Sequence, residues 1–230
     1  MGNAPRVLVL GIGNLLWADE GFGIRAVEAF HRIYQDDPAI CVMDGGTQGV
    51  YLIQHIREAD ILVVFDAVDY RLPGGTIKIV EGDEVPHFLG VKKMSLHQTG
   101  FQEVLAMAEM LGDYPKHLLL VGVQPVELDD FGGSLRDEVK ACIAPSLGHA
   151  EQWLASLGVH LRKRDVPLDD EDTIASLEMA LHAYEAGRPH EADAYRYGDD
   201  RVLAGGRFAP PRDLDAEIES VLGMAVPGQS

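Results

Sequence analysis

The segment Ile61–Phe65 is an unbroken apolar run closed by Asp66. A strand covered on both faces reads this way, whereas a half-exposed strand alternates, so this segment points to a sheet held between layers of helix. Three similar runs flank it: Val7–Leu10 ends in Gly11-Ile12-Gly13-Asn14, Ile40–Met43 ends in Asp44-Gly45-Gly46-Thr47, and Leu118–Val123 ends at Gln124-Pro125. Between the runs the apolar spacing turns helical, through Ile24, Val27, Phe30 and Ile33, then Tyr51, Leu52, Ile53 and Ile56, then Phe101 to Leu111 and Leu135 to Leu157. Thr76–Val80 follows a Leu72-Pro73-Gly74-Gly75 turn and alternates, as an edge or antiparallel strand does. The pattern predicts an α/β fold, a twisted, mostly parallel five-stranded sheet with helices on both faces.

This alternation stops near residue 160, after which the composition changes. Beyond Arg162-Lys163-Arg164 there are about fifteen acidic residues against five basic ones, with Pro, Gly and Asp clusters. Two parts are therefore expected, a domain over 1–164 and an acidic C-terminal appendage over 165–230, partly helical and partly flexible. Within the appendage, Asp172 or Thr173 is placed to cap a helix carrying Ile174, Leu177, Leu181 and Tyr184, ended by Gly187. A second, weaker helix is expected over Leu214–Leu222.

The formal net charge of -18 argues against nucleic acid and anionic membranes as partners, since both need a positive surface. A basic or metal-bearing protein suits it better. No apolar run is long enough to span a bilayer, and MGNAPR lacks the zones of a signal peptide, so a cytoplasmic protein is expected. Cys41 and Cys142 form no CxxC pair and are expected as buried packing groups rather than a disulfide or a zinc site.

Three segments place a metal-competent side chain near a strand end: Glu20 in GIGNLLWADEGFG, Asp66 in ILVVFDAVD and His97 in KKMSLHQTG. Ligands scattered in sequence but gathered at the carboxyl ends of parallel strands are how open α/β sheets build sites. Each has a bland explanation too. An acid such as Glu20 favours the first turn of a helix, Asp66 can be satisfied by loop amides, and His97 can be a loop residue bonded to backbone. Together, two carboxylates and an imidazole suit a divalent transition metal, with zinc, nickel, cobalt and manganese all compatible. Asp44, with Gly45, Gly46 and Thr47, is either a polar substrate-binding group or a turn-former.

Competing chemistries fit less well. The third glycine of a dinucleotide-binding GxGxxG would fall at Leu16, too bulky for close helix approach. No GxSxG elbow is present, and Ser95 near His97 has no orienting acid in sequence.

In order, VLGIGNLLWADEGFG, DGGTQG, VVFDAVD, SLHQTG and LVGVQPVELDDFGGSLR resemble the motifs of the nickel-iron hydrogenase maturation endopeptidases, the uptake or membrane-bound hydrogenase type in particular. The resemblance covers residue 5 to about 160. It implies a monomer that cuts a short C-terminal extension from the hydrogenase large-subunit precursor, possible chaperone partners, and a nickel ion carried by that precursor and coordinated by Glu20, Asp66 and His97. Asp44 matches an acidic position associated with cleavage or substrate positioning, which makes it the catalytic candidate. The appendage is where the chain departs from the family. The alternatives are a non-catalytic nickel-delivery module, against which the lack of a His-rich tract speaks, and a metal-dependent peptidase of other substrates, for which a second metal's ligands are missing.

Overall fold

The computed structural model describes residues 4–86, 96–169, 172–174 and 176–188, with the backbone alone for 96–99 and 178. Five strands, β1 (Val7–Ile12), β2 (Ile40–Gly46), β3 (Ile61–Ala67), β4 (Ile77–Glu81) and β5 (His117–Val123), form one sheet in the order β2-β1-β3-β5-β4. The first four of these in spatial order are parallel, and β4 lies antiparallel on the edge, as the expected architecture required.

Chain order explains the layers. From β1 the chain moves outward to β2 through α1 (Phe22–Ile33), then returns past β1 to β3 through α2 (Ile53–Glu58). Right-handed crossovers taken in opposite directions put their helices on opposite faces. On one face Val9, Val63, Phe65 and Val121 pack with Val27 and Phe30 of α1 and Leu147 and Leu154 of a later helix. On the other, Leu10, Leu62, Val64 and Leu120 pack with Ile56 of α2 and with Phe101 and Leu105 of α3 (Leu96–Met110). Strand parity of two assigns every residue to one of these cores.

Two elements differ from the sequence expectation. The helical spacing from Leu135 is interrupted, giving α4 (Asp137–Lys140) and α5 (Ile143–Ser156); Pro145 is accommodated because it falls in the first turn of α5, where its missing N–H has no helical acceptor. The helix expected from residue 172 is a 3-10 turn, Leu177–Met179, followed by α6 (Leu181–Gly187). Ala180 between them is extended, and the Met179 carbonyl accepts a hydrogen bond from Arg25 Nη1 at 2.6 Å. Cys142 is buried, but Cys41 is exposed because β2 is an edge strand. Residues 4–188 belong to one compact unit. The helix expected over Leu214–Leu222 and the rest of the appendage after 188 lie outside the described residues.

Candidate active site at the carboxyl end of the sheet

The order β2-β1-β3 makes the gap between the ends of β1 and β3 the topological switch point, where outgoing loops diverge and leave a crevice. Glu20 and Asp66 both come from there. Glu20 is half-buried on a 3-10 turn, Ala18–Gly21, that leads from β1 into α1. Glycines make this turn possible: the Glu20 carbonyl accepts from Asn14 N at 3.1 Å over Gly13, where any Cβ would lie 1.9 Å from that oxygen. Gly23 lets α1 start hard against the sheet, since a Cβ there would meet the carbonyls of Ile12 and Phe65 at 2.2 Å. The glycines of the first motif thus serve close backbone approach.

Asp66 is 1% exposed. It pairs with Gly122 of β5 and shares strand parity with Leu62 and Val64, so it faces the α2–α3 layer. His97 lies in the first turn of α3, a helix that packs on that same face, with Gly100 against Gly49 beyond β2. It therefore opens a helix rather than following a strand end. The His97 side chain lies outside the described residues. Among the described residues, no three His, Cys, Asp or Glu side chains gather as a metal cluster.

Asp44 faces the other way. It pairs with Gly11, two residues beyond Val42, which packs in the α1 core, and it senses Arg25 and Glu28 of α1. Although Asp44 is exposed by area, the atoms around its carboxyl desolvate it and raise its pKa above the ordinary carboxylate value, against the pull of the Gly46 amide at 2.8 Å and of Arg25. Burial likewise raises Glu28, opposed by its 2.9 Å ion pair with Arg25. Gly45 is filled by its own strand neighbour: a Cβ would lie 2.8 Å from Leu10 Cδ1. Gly46 has φ 46°, and Thr47 is exposed.

Three further residues shape the site. Tyr70 is buried with its hydroxyl over Gly122, where a Cβ would come within 2.1 Å of it, and burial together with the Asp66 charge pushes its phenol up. Gln124, also buried, accepts from Tyr70 N at 2.7 Å and Leu72 N at 3.1 Å and donates to Asp69 Oδ1 at 3.0 Å, fixing the loop after β3. Asp19, fully buried, accepts from the amides of Val126, Glu127 and Arg136 at 2.7–2.8 Å, tying the loop after β5 to the Glu20 turn. In sequence Asp19 reads like any acid at a helix start; the sole hint for Gln124 was its place beside a proline at a strand end.

The loops at this end also expose Leu16, Trp17, Val126 and Phe131. Trp17 and Phe131 meet edge to face at 5.2 Å and are backbone-bridged.

The sequence family HycI, hydrogenase maturation protease, matches residues 24–153. The chain is 62% identical over 203 residues to the hydrogenase expression/formation protein HupD of Thiocapsa roseopersicina, covering 88% of this chain and 92% of that one. With HoxM of Azotobacter vinelandii, likewise a hydrogenase expression/formation protein, identity is 58% over 200 residues, 87% and 95% of the two chains. The solved structure of the hydrogenase maturating endopeptidase HybD from Escherichia coli superposes with a TM-score of 0.66 at 37% identity, covering 69% of this chain and 98% of that one. The chain belongs to the hydrogenase maturation protease family and is a peptide hydrolase.

Proposed function

We propose that this chain removes the C-terminal extension of a nickel-loaded hydrogenase large-subunit precursor, and that Glu20, Asp66 and His97 complete the coordination of the nickel which that precursor carries. The observation that carries the reading is that the Glu20 turn and the buried Asp66 both leave the sheet at the β1–β3 switch point, with Asp66 facing the layer whose helix α3 carries His97 in its first turn. Two carboxylate oxygens and one imidazole nitrogen fit a borderline divalent metal. Three donors of mixed hardness leave its shell incomplete, which favours a metal delivered with the substrate's own ligands over one held permanently. A metal bound there polarises a carbonyl and acidifies water.

This chain's own residues supply the rest. Asp19 and Gln124 hold the loops that frame the crevice. Asp44, with its raised pKa, is the candidate proton-handling and substrate-positioning group, with Gly45, Gly46 and Thr47 beside it. Strand parity turns its carboxylate toward α1, so its role is beside the metal rather than on it. The net charge of -18 supports a protein partner over nucleic acid or anionic membrane, and among the described residues no helix is long and apolar enough to cross a membrane. Action as a cytoplasmic monomer with maturation chaperones belongs to the same reading.

Incubation with purified precursor, nickel-loaded and nickel-free, followed by mass measurement of the large subunit, tests it. A shortened subunit from the loaded form alone is expected. Equal cleavage of both forms rejects nickel recognition, and no cleavage of either leaves the delivery reading in its place. Glu20→Gln, Asp66→Asn and His97→Gln are each expected to block processing, and near-normal processing by the His97 variant rejects the shared shell.

A further inference from the structure

We propose that Arg188 is a positioning residue for precursor docking: residues 176–188 form a strap that fixes the loop after β5 in the pose that presents Phe131 beside Trp17. The inference rests on the proposed function for the identity of the substrate.

The loop from Gln124 to Arg136 is pinned at three places. Asp19 takes the amides of Val126 and Glu127 near its start, Leu16 O takes Gly132 N at 2.8 Å, and Asp19 takes Arg136 N at its end. Between the first two pins the crest, 128–131, turns the Asp130 side chain inward, where it is 6% exposed. A carboxylate so buried needs cationic compensation. Arg136 Nη2 supplies one contact at 2.9 Å from within the loop. Arg188 Nη2 supplies the other, at 3.2 and 2.9 Å to the two Asp130 oxygens, from 58 residues away. Gly133 is moulded to the same carboxylate, since a Cβ there would lie 2.6 Å from Asp130 Oδ2.

The strap has further polar attachments, beside the burial of Ala180. Ser134 Oγ donates to Glu185 Oε1 at 2.6 Å, Lys140 pairs with the same oxygen at 2.5 Å, and the buried Arg25 donates to Met179 O and stacks over Tyr184 at 5.7 Å. Helix α6 buries no residue of its own, so its contribution is to hold, not to fill a core. What it holds is the side of the crevice that carries exposed Phe131 and Val126.

The test uses the full chain, with Arg188→Gln and Arg188→Lys. Steady-state cleavage of nickel-loaded precursor gives KM and kcat. In a Trp153→Phe background, acrylamide quenching reports the looseness of Trp17 without any substrate. Arg188→Gln is expected to raise KM about fivefold with kcat little changed, the signature of lost uniform binding, and to make Trp17 more quenchable; Arg188→Lys restores part of both. Wild-type KM in Arg188→Gln overturns the proposal, as does unchanged quenching. If the wild-type chain cleaves no precursor, the function reading fails by itself, and the quenching comparison still decides whether the strap holds the loop.

Discussion

At the scale of single residues, the site depends on atoms that are missing as much as on those present. Gly122 leaves room for the Tyr70 hydroxyl beside Asp66. Gly122→Ala is expected to destabilise the protein by about 1–3 kcal/mol, as overpacking does, and to depress processing further than that loss alone explains, because the displaced ring borders Asp66. Urea unfolding alongside the cleavage assay checks this; full stability and full activity reject it. Asp19 gives the complementary case. Its carboxylate serves three amides, and Asp19→Asn turns an acceptor into an amino group facing a buried N–H. The expected loss is about 2–4 kcal/mol, since hydrogen bonds to a charged group are stronger than neutral ones and an orphaned donor adds its desolvation; an unfolding midpoint within error of the parent rejects it. Asp66 was legible in sequence because a carboxylate closing an apolar run is conspicuous. Asp19, Tyr70 and Gln124 were not, because these partners lie 52 to 117 residues away and no local spacing reveals them.

At the scale of elements, strands and helices were legible wherever burial imposes a period. The unbroken run of β3 and the alternation of β4 named the central and edge positions. The break between α4 and α5, and the start of α3 at Leu96 ahead of the apolar stripe, were not signalled, because helix ends are set by turns and caps more than by hydrophobic spacing. How elements are tied by polar side chains was equally silent. Glu151 of α5 accepts from Tyr34 Oη at 2.8 Å, just past α1, and pairs with Lys163 at 2.9 Å. The Lys163 hydrogen bond and then the Tyr34 hydroxyl hold its pKa below the ordinary value against burial. The unfolded chain therefore binds the proton more readily than the folded one. The stabilisation is fully present above the ordinary glutamate value, about 4.3, and is lost as pH falls through the lower folded value. Glu151→Gln is expected to cost about 1 kcal/mol at pH 7, with the gap to the parent closing in acid. Urea titrations at pH 7, 5 and 3.5 measure this, and a gap independent of pH rejects the assignment.

At the scale of the whole molecule, charge opposes the fold. The net charge is -18, and about ten of those charges fall after residue 164, a bias that reads in sequence as a solvated tail. The helix expected there from an apolar stripe is present in part, over Leu181–Gly187, but the attachment of the 176–188 strap through Arg188, Glu185 and Tyr184 was silent in sequence. Salt acts in two opposed ways. It screens the mutual repulsion of the excess carboxylates, and it weakens exposed pairs such as Arg57 with Asp113 and Lys116 with Asp60. Such surface pairs contribute about 0–1 kcal/mol each, and with 19 basic residues against 37 acidic ones half of the carboxylates have no cation to lose. Repulsion therefore outweighs attraction. Raising KCl from about 20 to 200 mM shortens the screening length from about 20 to about 7 Å and is expected to raise the Tm by a few degrees. Calorimetry across that range decides: a Tm that falls with salt would mean that the ion pairs, the strap's among them, outweigh the repulsion, and that this acidic chain is held together by its few cations.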